Sequence, residues 1–381
     1  MIEKMHIKPE LYLWAIDESQ LPHDQIFEKF QKLTEWIKGD SEPTLNQLMK
    51  LSKYLHVPFG YLFLSTPPKS EAYHADFRSF QNTPPKMSKE LQETIEEMVS
   101  RKDWMHDYRK SQEIDKPDFL KSLSESMSIE NQIAFIHKSL NLTENWFAKV
   151  KDEACAYNRL KAKMENIGVL VMQNGIVGQN THRKLNSKEF RGFCLYDEYA
   201  PLIFVNTTDS RAGMIFTLIH EFIHLAYGQS DICTEQEVDI KQERKINKVT
   251  AAFLIPETFV AHEIKEPLTD DIAPETVTML AKKLKISPYA LAIFLKEKEK
   301  ISLKAFAKIK SEGIEQYENK SAKRSGGDYY KNAKSKLSSN FTLAVISQTE
   351  QGLLLHRDAY KLLGGIKGKT YNTLKNKVAY G

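Results

Sequence analysis

His220 and His224 stand four positions apart, with Glu221 directly after the first, in the run His220-Glu221-Phe222-Ile223-His224. In a helix, positions i and i+4 share one face, so both imidazoles can reach a single metal ion. Glu221 lies about 100° further round the helix. That sets its carboxylate beside the side of the ion left open to water, where it can take a proton. The surrounding run RAGMIFTLIHEFIHLAYG is apolar on nearly all sides. It predicts a buried helix over 210–227, opened by Asp209 or Ser210 and stopped by Gly228. Three ionisable groups inside such a helix would each cost several kcal/mol without partners, and a shared metal removes that cost. The competing reading makes them core histidines bonded to backbone.

Two imidazoles leave zinc one short of its usual three protein ligands. A helix expected over 235–254 offers Glu243, after a gap of 18 residues from His224. Its rivals are Asp239, Glu237 and Glu235 on the same stretch, and the competing reading of Glu243 is a solvated surface charge. The spacing resembles the thermolysin arrangement of two histidines and a distant glutamate. The three-histidine arrangement fails, because Tyr227 and Ser230 stand where glycine and histidine are needed. Asn247, one turn beyond Glu243, is placed to brace a ligand. The ion implied is Zn2+, with Mn2+ also accepted by such donors. The chemistry implied is amide hydrolysis, with Glu221 as general base and later as acid to the leaving amine. Arg191, His182 and Tyr227 are the candidates for steadying the oxyanion. Each also reads as an ordinary ion-pair, surface or packing residue.

Elements must position these groups. Strands are expected over 167–173, 190–196 and 201–206, the last (PLIFVN) being the most apolar. Its edge is expected to pair with an extended peptide. Short helices with tight joints are expected over 9–64, a charged helix over 88–112, and one or two more over 129–151. Helices resume after Pro256 and at Ser287-Pro288. Ser325-Gly326-Gly327 reads as a hinge before helices over 328–350 and 356–363. The fold class is therefore α+β and mostly helical, with a small sheet and an active-site helix flanked by helical modules. The expected division is 1–67, 68–128, 129–265, 266–320 and 321–381. These are a helical domain, a linker and connector, a metallopeptidase domain, a helical extension and a basic helical module.

Composition supports a soluble globular chain of 381 residues: 41% is apolar, 27% charged, and glycine and proline are sparse. No apolar run is long enough to span a membrane, and the start MIEKMHIKPE lacks a secretory pattern. The three cysteines form no CxxC pair, so a disulfide framework is not expected. The cytoplasm is the expected compartment. The net charge of +4 is uneven: residues 320–381 carry twelve Lys/Arg and three acids, whereas residues 1–67 carry seven bases and nine acids. A nucleic-acid contact, if any, belongs at the C-terminal end.

Longer stretches resemble the ImmA/IrrE metallopeptidases. They are Phe190-Arg191-Gly192-Phe193, Ala200 through Asn206, Phe216 through His224, and Glu243 with Asn247 leading into Ala251-Ala252-Phe253-Leu254-Ile255-Pro256. Similar flanks include Pro43-Thr44, Val57-Pro58, Asp76-Phe77-Arg78 and Gly326-Gly327-Asp328. The resemblance implies a zincin-like core and a zinc protease of narrow target. His220, His224 and Glu243 would be its metal ligands and Glu221 its catalytic base. It also implies a protein substrate, either an Xre-type repressor or a toxin–antitoxin partner.

The N-terminal part resembles an Xre-type helix-turn-helix but departs from it. From Phe27 to Trp36 it is about one helical turn too short, and FEKFQKLTEW has no arginine. A docking or dimerising remnant is expected there. The 61 residues from Ser321 are too few for the sensory domain of radiation-response members. Instead, His356-Arg357-Asp358-Ala359, Leu362-Leu363-Gly364 and Thr370 through Leu374 have a helix-turn-helix rhythm that suits DNA or an acidic partner. The alternative function is an antitoxin-like or transcription-regulating binding protein that uses the peptidase fold as a scaffold.

Overall fold

The structure, a computed structural model, describes residues 4–68, 87–230, 240–321 and 335–379. These fall into two units, one made of 4–68 with 87–93 and one of 94–379. Asp76-Phe77-Arg78 and the hinge Ser325-Gly326-Gly327 lie outside the described residues.

The first unit holds α1 (Pro9–Ser19), α2 (His23–Lys29), α3 (Leu33–Lys38), α4 (Leu45–Leu55) and a 3-10 turn, Phe59–Phe63. Apolar residues at helical spacing make its core: Leu11, Ala15, Ile26, Leu33, Leu48, Leu51, Leu55 and Leu62 are almost fully buried. Thr44 opens α4 through a reciprocal capping box with Gln47. α2 and α3 have seven and six residues.

The second unit carries most of α5 (Lys89–Ser111), then α6 (Ile129–Ser139) and α7 (Glu153–Asn166). The sheet follows, with β1 (Leu170–Asn174), β2 (Gly192–Leu195) and β3 (Leu202–Asn206). Their order is β1-β3-β2, with β3 parallel to β1 and antiparallel to β2. Every residue of β3 is buried, as its unbroken apolar run requires of a strand covered on both sides. β3 is thus the central strand. The expectation that its edge receives a peptide is overturned, and β2 and β1 hold the edges instead. α8 (Arg211–Tyr227) packs on β2, β3 and α7, and α9 (Ile240–Leu254) packs on α8 and α6.

The remaining helices are α10 (Glu257–Glu263), α11 (Ala273–Leu284), α12 (Pro288–Glu297), α13 (Leu303–Ser321), α14 (Ser339–Glu350), α15 (His356–Leu362) and α16 (Gly368–Ala379). The molecule is α+β and mostly helical, with a small three-stranded sheet. Among the described residues no helix is long and apolar enough to cross a membrane.

Two elements depart from expectation. α7 lies between the helices expected over 129–151 and the strand expected over 167–173; Asp152 caps it, accepting from the Cys155 N–H at 2.8 Å. α14 begins at Ser339, and of the stretch predicted before it, residues 328–334 lie outside the described residues.

Candidate metal centre

α8 is built to hold polar groups in an apolar setting. Ser210 caps its start, accepting from the Gly213 N–H at 3.0 Å. Gly228 ends it with φ of 81°, and its N–H and that of Gln229 close on Leu225 O and His224 O at 2.9 and 3.0 Å. Gly192 lets the sheet approach closely. A Cβ there would lie 2.5 Å from Thr217 Cγ2 on α8 and 2.6 Å from Phe204 O on β3. Thirteen of the helix's residues are buried, and among them His220, Glu221 and His224 are no more than 5% exposed.

The two imidazoles face each other, with Nε2 atoms 3.0 Å apart. Glu243, in the first turn of α9, reaches over from the neighbouring helix. Its Oε1 is 2.9 Å from His224 Nε2 and its Oε2 3.6 Å from His220 Nε2. These three residues are the one group of metal-donor side chains found among the described residues, with donor atoms all within 4.8 Å of one another. The donor set fits a metal. A tetrahedral ion with bonds of about 2.0–2.2 Å spaces its ligands roughly 3.3–3.6 Å apart, close to the separations found here. The rivals Glu235, Glu237 and Asp239 lie outside the described residues, and Asn247 is half-buried one turn beyond Glu243.

The oxyanion candidates are placed elsewhere or otherwise engaged. Arg191 Nε lies 3.7 Å from Asp209 Oδ2, at the far, N-terminal end of α8. His182 is exposed in a turn, its N–H donating to Asn180 Oδ1 at 3.1 Å. Tyr227 shares the histidines' face of α8 by spacing, but its hydroxyl donates to Gln132 Oε1 at 3.0 Å. Burial raises the Tyr227 phenol above its ordinary value, so it stays protonated as that donor. None of the three is brought to the His–Glu cluster by a recorded contact.

Other polar residues, for which the sequence carries no local signal, frame the site. Gln229 follows the cap of α8 and donates to Gln242 Oε1 at 3.2 Å, next to Glu243. The Gln229 carbonyl receives the Cys194 thiol of β2 at 3.7 Å, and Ser230 Oγ accepts the Tyr196 N–H at 2.7 Å. The end of β2, the end of α8 and the start of α9 are therefore tied together around the cluster.

Residues 164–296 match the family model described as the IrrE N-terminal-like domain, Peptidase_M78. The matched segment spans the sheet, α8 and α9, and with them His220, Glu221, His224 and Glu243. The match suggests a metallopeptidase-type fold for this segment. Residues 337–377 match a second family model, described as a domain of unknown function, DUF8813. No curated protein and no solved structure gives a match to the chain.

Proposed function

We propose that the protein is a zinc-dependent endopeptidase that cuts a regulatory protein, a helix-turn-helix repressor of a mobile element or stress response. The observation that carries this reading is the convergence of two buried histidines of α8 on Glu243 of α9, with a buried Glu221 beside the first histidine. His220, His224 and Glu243 would hold the ion. Bound zinc supplies Lewis acidity, polarising water and the scissile carbonyl. Glu221 accepts the proton of the attacking water and delivers it to the leaving amine nitrogen.

β2 is the edge strand that packs on α8, so an extended substrate segment would add beside β2 rather than β3. The narrow target and the repressor as substrate rest on the resemblance to the ImmA/IrrE group; a toxin–antitoxin partner is the other substrate it suggests. Manganese could replace zinc in such a donor set, and the reaction is placed in the cytoplasm.

The test compares wild type with Glu221→Gln by mapping new protein amino termini in cells that express each. The reading expects a small set of new termini, in one regulator or a few, that are absent with the variant. If both proteins bind metal and yield the same termini, catalysis is not the function. A cellular effect that survives in Glu221→Gln would favour the regulatory scaffold instead.

A further inference from the structure

We infer that α14, α15 and α16 form a duplex-DNA-binding module, with α16 the helix that enters the major groove. The argument begins with shape. α15 and α16 are joined by a tight turn in which Gly364 and Gly365 take φ of 88° and 74°. The N–H groups of Gly365 and Ile366 both close on Tyr360 O, at 2.8 and 3.2 Å. Ala359, Leu363, Ile366, Tyr371 and Leu374 are at most 3% exposed and form the inner side of this helix–turn–helix. Tyr360 and Tyr371 pack across it, with ring centroids 5.4 Å apart. The arrangement of two helices around a glycine turn is the one that presents its second helix to a groove.

Charge and side-chain chemistry point the same way. Residues 335–379 carry seven Lys/Arg and two acids. Both acids are spent inside the module. Glu350 takes the Tyr371 hydroxyl at 3.0 Å and the Lys375 ammonium, and Asp358 pairs with Arg357 at 3.2 Å. Lys361, Lys367 and Lys369 are exposed. On α16, Thr370, Tyr371 and Leu374 face inward, while Lys369, Asn372, Thr373 and Asn376 share the outer side.

Among the described residues that outer side holds no apolar anchor, which a protein-docking helix needs. Asparagine, threonine and lysine are instead side chains that meet base edges and phosphates. The exposed Leu353 and Leu355 belong to the connection before α15. At 12 residues, α16 is about 18 Å long, enough to lie in a major groove about 12 Å wide.

The module is also held firmly on the peptidase-type unit. Arg101 of α5 donates to Leu362 O at 2.9 Å and pairs with Glu97 at 2.6 Å. Gln179 donates to Gly364 O at 2.8 Å, and Lys161 of α7 to Leu337 O at 3.1 Å. DNA bound by α16 would therefore be carried by the same body as the His–Glu cluster.

The experiment titrates the full chain against a fluorescent 30-base-pair duplex across a salt series. It compares wild type, Lys367→Ala/Lys369→Ala and Asn372→Ala/Asn376→Ala; the altered side chains lie on the module's surface, and matched unfolding midpoints confirm the fold. Wild type should bind at low salt. The lysine variant should bind more weakly and lose about 0.9 from the log–log salt slope per phosphate contact removed. The asparagine variant should keep the slope but lose the preferred sequence that wild type selects from a randomised duplex pool. No duplex binding by wild type in 50 mM salt, or wild-type affinity and slope in the lysine variant, overturns the inference. Selection of the same sequence by the asparagine variant overturns the placing of α16 in the groove.

Discussion

At the scale of single residues, the two glutamates of the site are separated by where they come from. Glu221 follows His220 on the same helix and is almost fully buried, whereas Glu243 reaches across from α9 to within 2.9 Å of His224. Loss of each should therefore fail differently. Glu221→Gln should keep the metal and fold while cleavage falls by about 10²–10⁴-fold, the usual worth of a general base. Metal analysis and a cleavage assay on the same sample check this, and unchanged cleavage contradicts it. Tyr227→Phe should lower stability by about 1–3 kcal/mol, because Gln132 Oε1 is left buried without its donor, and leave the cleavage rate within about twofold if no oxyanion role exists. A large loss of rate at unchanged KM would restore Tyr227 as an oxyanion group. The His-Glu-x-x-His set was legible in the sequence because helical spacing alone puts i and i+4 together. Glu243 needed the further guess that the next helix folds back on the first. Gln132, Gln229 and Gln242 were not legible. A glutamine reads as surface until the partner that satisfies it is known, and Tyr227 lies 95 positions from Gln132.

Among the elements, α8 is the most legible, since an all-round apolar run with a serine cap and a stop glycine leaves few alternatives. The sheet was harder. Three short strands were recognised, but their order depends on pairing rather than on any one strand. Complete burial of β3 is the sign of a central position, and it leaves β1 and β2 as the edges. α7 is not predicted although Ala156, Tyr157, Leu160 and Met164 recur at helical spacing, because they are few and lie among charged residues. The contact between β2 and α8 yields a sharp prediction. Gly192→Ala should destabilise the protein by about 1–3 kcal/mol, as overpacking of a close contact does, since its Cβ would meet Thr217 and a backbone carbonyl. Denaturant unfolding measures this, and an unchanged midpoint would show that the strand and helix can separate freely.

For the molecule as a whole, the sequence suggested a basic tail behind a hinge. The structure instead ties the end of the chain into the peptidase-type unit through long-range polar anchors. Arg101 and Leu362 are 261 positions apart, so no local pattern could announce the contact. Burial lowers the Arg101 guanidinium, and Glu97 offsets part of that effect, which marks a charge that needs its partners. Arg101→Ala should cost about 1–3 kcal/mol, since Leu362 O loses its donor, and should speed amide exchange across α15 and α16 before the rest of the unit. Uniform exchange would mean the anchor does not hold the module. The central claim concerns one ion per chain. Its most direct test is metal content of purified protein, wild type beside Glu243→Ala, after zinc is added back and free metal removed. About one zinc per chain in wild type, weakened in the variant by more than the roughly 10–100-fold that loss of a supporting partner costs, is the predicted result. A wild-type chain that retains no zinc, or a Glu243→Ala chain that binds it as tightly, would contradict the account.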